Sequence, residues 1–149
     1  MDWTLELVVV PVSDVDRAKA FYMDRLGFGL DVDMTTGPDF RVVQLTPPGS
    51  ACSIAIGTGL SETAPGTLHG LQLCVDDIEA AHDQLVEHGV EVSEPFHFGE
   101  AGRTPGLDPE RRGYATFVSF HDPDGNTWLV QEVRRDWVLK QVTRDEPAA

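Results

Sequence analysis

Val12-Ser13-Asp14-Val15-Asp16-Arg17-Ala18 is answered, 63 residues further on, by Val75-Asp76-Asp77-Ile78-Glu79-Ala80-Ala81. The match continues outward: Tyr22 falls on Leu85, and a glycine closes each segment, Gly27 and Gly89, with the offset one residue shorter. Self-similarity at this period, in a chain of 149 residues, implies two copies of one supersecondary unit. Each copy carries helix signals. Ser13 and Asp76 stand where an N-cap side chain accepts from orphan backbone N–H groups. Asp16 and Glu79 follow three residues later, close to a capping box and favourable at the positive helix end. Val15, Ala18 and Tyr22 recur at helical spacing, as do Ile78, Ala81, Leu85 and Val86. Gly27 and Gly89 supply the left-handed conformation that ends a helix.

Strand-like runs surround both helices. The first copy reads as a strand over 4–12, a helix over 14–26, and strands over 28–34, 40–46 and 52–56, with turn-rich connectors at 35–39 and 47–50. Residues 57–67 read as a linker. The second copy reads as a strand over 68–75, a helix over 77–88 and strands over 90–96, 114–120 and 127–133. In its first strand Leu71, Leu73 and Val75 alternate with Gly70, Gln72 and Cys74, the period of a half-buried strand. Asp122-Pro123-Asp124-Gly125-Asn126, between two apolar runs, is a strong hairpin signal. The segment 97–113 exceeds the usual connection length and reads as a lid beside a pocket. The tail from 134 to 149 holds one apolar cluster, Trp137-Val138-Leu139. The expected fold is therefore α+β: two tandem βαβββ modules, about 4–57 and 68–133, within one domain spanning 1–149.

The formal net charge of −14 argues against nucleic acid and anionic membranes as partners, since both require a basic face. No apolar run approaches the ~20 residues of a membrane span. Met1-Asp2-Trp3 lacks a basic leader, so a cytoplasmic location is the default expectation. Cys52 and Cys74 are the only cysteines, and they suggest free thiols rather than a disulfide framework.

The doubled unit, the segment Val12-Ser13-Asp14-Val15-Asp16-Arg17-Ala18-Lys19-Ala20-Phe21-Tyr22 and the Asp-Pro-Asp-Gly-Asn before the last strand together resemble the vicinal oxygen chelate superfamily. That superfamily includes glyoxalase I, bleomycin-resistance proteins, fosfomycin-resistance enzymes and extradiol dioxygenases. The resemblance runs from about residue 4 to 133. It implies that each module curls a mixed sheet into a half-barrel and that two modules enclose a cup. In the metalloenzymes of the superfamily, that cup holds a divalent ion. The ligand positions it implies fall on Leu7, Gly70 and Leu129, with a fourth near Ser53 to Ile56, where nothing is acidic or imidazole. Aliphatic side chains cannot serve magnesium, nickel, zinc or iron. No metal and no other cofactor is therefore expected. His69 would reach the cup only if its strand slipped by one residue, which would flip every other side chain.

Strand phase nominates Leu7, Val9 and Pro11, then Gly70, Gln72 and Cys74, then Thr127, Leu129 and Gln131 as cup-facing, with Gln44 joining them. An apolar pocket with a few convergent amides is the expected form of a small-molecule site. Gln72 and Gln131 equally fit a mutual hydrogen bond, because a buried amide needs partners. His97, beside the lid, is the best candidate for acid–base work. Tyr114 and an arginine of the lid could join it. The leading expectation is a glyoxalase/bleomycin-resistance-like protein that binds a small organic molecule in an apolar cup as a homodimer. One alternative is a lyase or isomerase on the same scaffold, using an atypical metal site or acid–base residues. The other is an interaction module without ligand.

Overall fold

The computed structural model describes residues 1–136, so the expected Trp137-Val138-Leu139 cluster lies outside the described residues. The chain divides into two compact units. Unit one comprises Met1–His69 and His121–Thr127, and unit two comprises Gly70–Phe120 and, among the described residues, 128–136.

In unit one, strand β1 (Leu7–Val9) leads to helix α1 (Val15–Ala20), which continues as a π-helical turn over Phe21–Arg25. Strands β2 (Gly29–Thr36), β3 (Phe40–Thr46) and β4 (Ser53–Thr58) follow. The sheet order is β1-β4-β3-β2, with β1 parallel to β4 and the remaining pairs antiparallel. Pleating gives this sheet two faces. Val43, Leu45, Ile54 and Ile56 share one face and are 4% exposed or less. Arg41, in phase with Val43, donates to Asp16 on α1, so this is the helix-covered face. Ala18 and Tyr22 on the helical segment are fully buried. Each large apolar side chain so buried contributes about 1.5–3 kcal/mol.

In unit two, β5 (Leu71–Val75) leads to α2 (Ile78–Glu87), β6 (Phe96–Gly99), β7 (Gly102–Pro105), β8 (Thr116–His121) and β9 (Thr127–Glu132). The sheet order is β5-β9-β8-β6-β7, with β5 parallel to β9. Trp128, Val130 and Glu132 lie on the helix side, where Glu132 accepts from the Ile78 N–H of α2 at 2.9 Å. Phe120 stacks on Trp128 at 6.1 Å, which places Phe120 and its in-phase neighbours Val118 and Thr116 on that same side. No helix among the described residues is long and apolar enough to cross a membrane.

Three local expectations are corrected. The helix caps are Asp14 and Asp77, one residue later than the repeat suggests. Each has an extended backbone, and each carboxylate accepts the N–H three residues on, Arg17 at 3.0 Å and Ala80 at 3.1 Å. Ser13 is engaged elsewhere: its N–H and hydroxyl both donate to Asp124 Oδ1. The strand expected over 90–96 pairs only at Val92, opposite Phe120, and regular pairing begins at Phe96. Val90 is still tied to the helix end through its N–H to Leu85 O, and Pro95 has no N–H to give. Part of the expected 97–113 loop is a hairpin, β6–β7, in which the Arg103 guanidinium lies 3.7 Å above the Phe96 ring.

The Asp-Pro-Asp-Gly-Asn turn is folded by its first side chain. Asp122 Oδ1 accepts from the N–H groups of Asp124, Gly125 and Asn126, each at 3.0 Å. Oδ2 accepts from the Tyr22 hydroxyl and from Asn126 Nδ2, both at 2.8 Å. Asn126 Nδ2 also donates to Pro11 O at 2.8 Å. A sequence-local turn is thereby bonded to both ends of the first repeat segment.

Candidate functional site

The sheet faces turned away from the helices collect most of the residues that strand phase nominates. In unit one, β1–β4 register sets Leu7 opposite Ser53 and Val9 opposite Ala55, and β3–β4 register sets Gln44 opposite Ala55. Leu7, Val9 and Gln44 therefore share a face, and each is half-buried. A bulge between Leu30 and Val32 turns Asp31 onto this face. The Thr46 hydroxyl donates to the Asp31 carboxylate. Its single proton is then used, so the Ser53 hydroxyl donates to Thr46 at 2.6 Å. This Ser53–Thr46–Asp31 relay has no signature in strand alternation, because the bulge that brings Asp31 into phase is not visible in it.

In unit two, Gln72 lies opposite Leu129 and Cys74 opposite Gln131, so all four share the face away from α2. Gln72 Nε2 donates to Gln131 Oε1 at 2.6 Å, and Gln131 Nε2 donates to Tyr114 O at 2.9 Å. Gly70 stands just before β5 at φ +96°, a left-handed conformation that any side chain would resist. Phe117 and Phe98 lie on the same face by register with Phe96, their rings 5.4 Å apart at 68°. Phe98, Phe117, Tyr114, Ala115, Gly113 and Arg112 line a cavity of about 330 Å³. Phe98 is 57% exposed and Tyr114 48%, so both rings offer apolar surface to this cavity.

His97 is set apart from this group. It lies opposite Thr116, and the pleat puts it on the helix side with Val118 and Phe120. It is 8% exposed, and its Nδ1 donates to Gly106 O at 2.8 Å. Beneath it Asp108, with no side-chain exposure, holds Arg112 through Nε at 3.1 Å and Nη2 at 2.6 Å. The Arg112 guanidinium lowers the Asp108 carboxyl to about 2. Sequence reasoning missed Phe98 and Phe117, and reached Arg112 only as one of the arginines of the 97–113 segment. Alternation across 96–98 was the available signal, hidden because the segment reads as loop.

A second cavity, of about 380 Å³, lies in unit one between the end of β1 and residues 57–65. His69 is outside both cavities, its Nδ1 bonded to Thr127 Oγ1 at 2.8 Å. Among the described residues, no three His, Cys, Asp or Glu side chains stand together as a metal-holding group. Leu7 and Leu129 end in carbon and Gly70 has no side chain, so none of the three offers a ligand atom. Those residues do not fit a divalent ion.

The family model for the Glyoxalase/Bleomycin resistance protein/Dioxygenase superfamily matches residues 4–130. The chain belongs to this superfamily. Among solved structures it is similar to TnmS3, an antibiotic binding protein from Streptomyces sp. CB03234. The two are 32% identical with a TM-score of 0.69, over 89% of this chain and 97% of that one. It is also similar to a member of the same superfamily from Sphaerobacter thermophilus DSM 20745, at 29% identity and TM-score 0.67, over 88% and 98% of the two chains. Among curated proteins it is similar to YetH of Bacillus subtilis (strain 168), an uncharacterized protein. That match is 26% identical over 126 residues, 84% of this chain and 94% of that one.

Proposed function

We propose that this superfamily member binds a small organic molecule without a metal ion, using the helix-free face of the second sheet. The observation that carries the proposal is the aromatic cavity of Phe98, Phe117 and Tyr114 beside the linked amides of Gln72 and Gln131. Exposed rings supply apolar area, and amides whose bonds are to one another and to a carbonyl can exchange partners as a ligand arrives. The resemblance to an antibiotic binding protein supports a binding role over turnover. His97 points away from this face, which weighs against it as an acid–base group there. A homodimer is the expected assembly.

The test is a panel of antibiotic-like and other small aromatic compounds titrated calorimetrically against the protein, with and without a chelator. Elemental analysis of the same sample accompanies it. Saturable binding, unchanged by chelator and without product formation, is the expected result. Near one bound divalent ion per chain, lost together with binding or activity on chelation, would overturn it. Tyr114→Ala and Phe98→Ala are each expected to weaken binding by about 1–2 kcal/mol, the worth of a lost aromatic contact with its buried area.

A further inference from the structure

The segment that walls the cavity in unit two is held against its own backbone preference. Arg111 and Tyr114 adopt φ of +49° and +67°, in the left-handed region that disfavours any residue with a Cβ. Both are fastened to one buried residue. Glu132 is 1% exposed, and its Oε1 and Oε2 each lie 3.1 Å from Arg111 Nη2. Oε2 also accepts from Ile78 N–H at the start of α2. The backbone carbonyl of Glu132 accepts from Tyr114 N–H at 3.0 Å, while Gln131 holds Tyr114 O. Asp108 anchors the approach to this segment: its carbonyl accepts from Arg111 N–H at 2.9 Å, and its carboxylate accepts from Arg112 N–H at 2.9 Å.

Strain of this kind persists only where surrounding bonds over-determine it. Here the bonds converge on Glu132, and the strained residues flank the two, Arg112 and Gly113, that join Tyr114 in lining the cavity. Glu132 itself faces α2 and cannot touch a ligand on the opposite face. We propose that Glu132 is a positioning residue. Its carboxylate clamps Arg111, and its carbonyl clamps Tyr114, so that residues 111–114 present Arg112 and Tyr114 to the cavity. This inference rests on the proposed binding role of that cavity. It adds that ligand affinity depends on a buried carboxylate on the far side of the sheet.

The experiment compares the wild type with Glu132→Gln, Glu132→Gln/Arg111→Gly and Arg111→Lys. One measurement is amide hydrogen exchange at residues 111–115, and the other is fluorescence titration with Nile red, an uncharged aromatic dye. Gln keeps an acceptor for Ile78 N–H but loses the charge that holds Arg111. Exchange at 111–115 should rise, and dye affinity should fall about tenfold, the scale of one charge-assisted hydrogen bond. Glycine adopts positive φ without strain, so the double variant should recover part of the dye affinity, while exchange at 111–115 stays raised because no bond replaces the clamp. If Glu132→Gln does not fold, Arg111→Lys, whose shorter side chain withdraws the one nitrogen that lies 3.1 Å from both Glu132 oxygens, should show the same rise. Unchanged exchange at 111–115 in a folded clamp variant would overturn the proposal. So would a folded double variant that binds the dye no better than Glu132→Gln, since strain at Arg111 would then play no part. Wild-type protein that fails to bind the dye would count against the binding role, while the exchange data still decide the clamp.

Discussion

At the residue scale, buried acids do the organising. Asp122 gathers three backbone N–H groups, the Tyr22 hydroxyl and the Asn126 amide around one carboxylate. Tyr22→Phe removes one of these donors and should cost about 1–2 kcal/mol in denaturant unfolding. Asp122→Ala strands several buried groups and should cost at least about 3 kcal/mol. Asp108 makes a pH prediction. Arg112 hydrogen bonding holds its carboxyl near 2, below the unfolded value of 3.8. A depressed carboxyl contributes stability that is complete above its unfolded pKa and is lost as pH falls through the folded one. Wild type should therefore lose stability between about pH 4 and pH 2 from this group, and Asp108→Asn should lose less over the same window. Equal acid limbs for the two proteins would reject the assignment. Asp33, lowered by hydrogen bonds from Arg41 and Lys19, acts in the same direction.

At the element scale, the two helices test the cap placement directly. Asp77→Ala should destabilise by about 1 kcal/mol, because it removes the acceptor for Ala80 N–H, whereas Asp76→Ala should change stability little. The reverse order in thermal unfolding would return the cap to the position that the repeat suggests. Glycines separate in the same way. Gly27 ends the helical segment at φ +73° with open space about it, so Gly27→Ala should cost about 1 kcal/mol. At Gly66 a Cβ would lie 2.1 Å from Asp124 O, so Gly66→Ala must also displace the 122–126 turn and should cost clearly more.

At the scale of the whole molecule, like-charge repulsion sets the response to salt. A net charge of −14 over 149 residues stores self-repulsion that salt screens. The melting temperature should rise between low salt and about 0.3 M NaCl, where the Debye length falls well under 10 Å. A fall would mean that ion pairs such as Arg41 with Asp33 and Asp16 outweigh the repulsion. Sedimentation equilibrium should give a dimer, and a monomer at all accessible concentrations would remove that part of the proposal.

The sequence by itself determined the doubled unit, the α+β class, the superfamily and the strand phases that put Gln72 with Gln131 and Leu7 with Val9. These follow from local periods of two and 3.6 residues, and such periods survive whatever the distant chain does. Only the tertiary structure decided what depends on partners far along the chain. Ser13 yields the cap to Asp14 because Asp124, 111 residues away, takes its hydrogen bonds. His97 turns from the expected site because pairing begins at Phe96, opposite Phe117. Arg111 takes a φ of +49° that its own backbone disfavours, bonded to Glu132 21 residues further on. Long-range hydrogen bonds choose among local conformations that differ by only about a kcal/mol, and no local pattern records that choice.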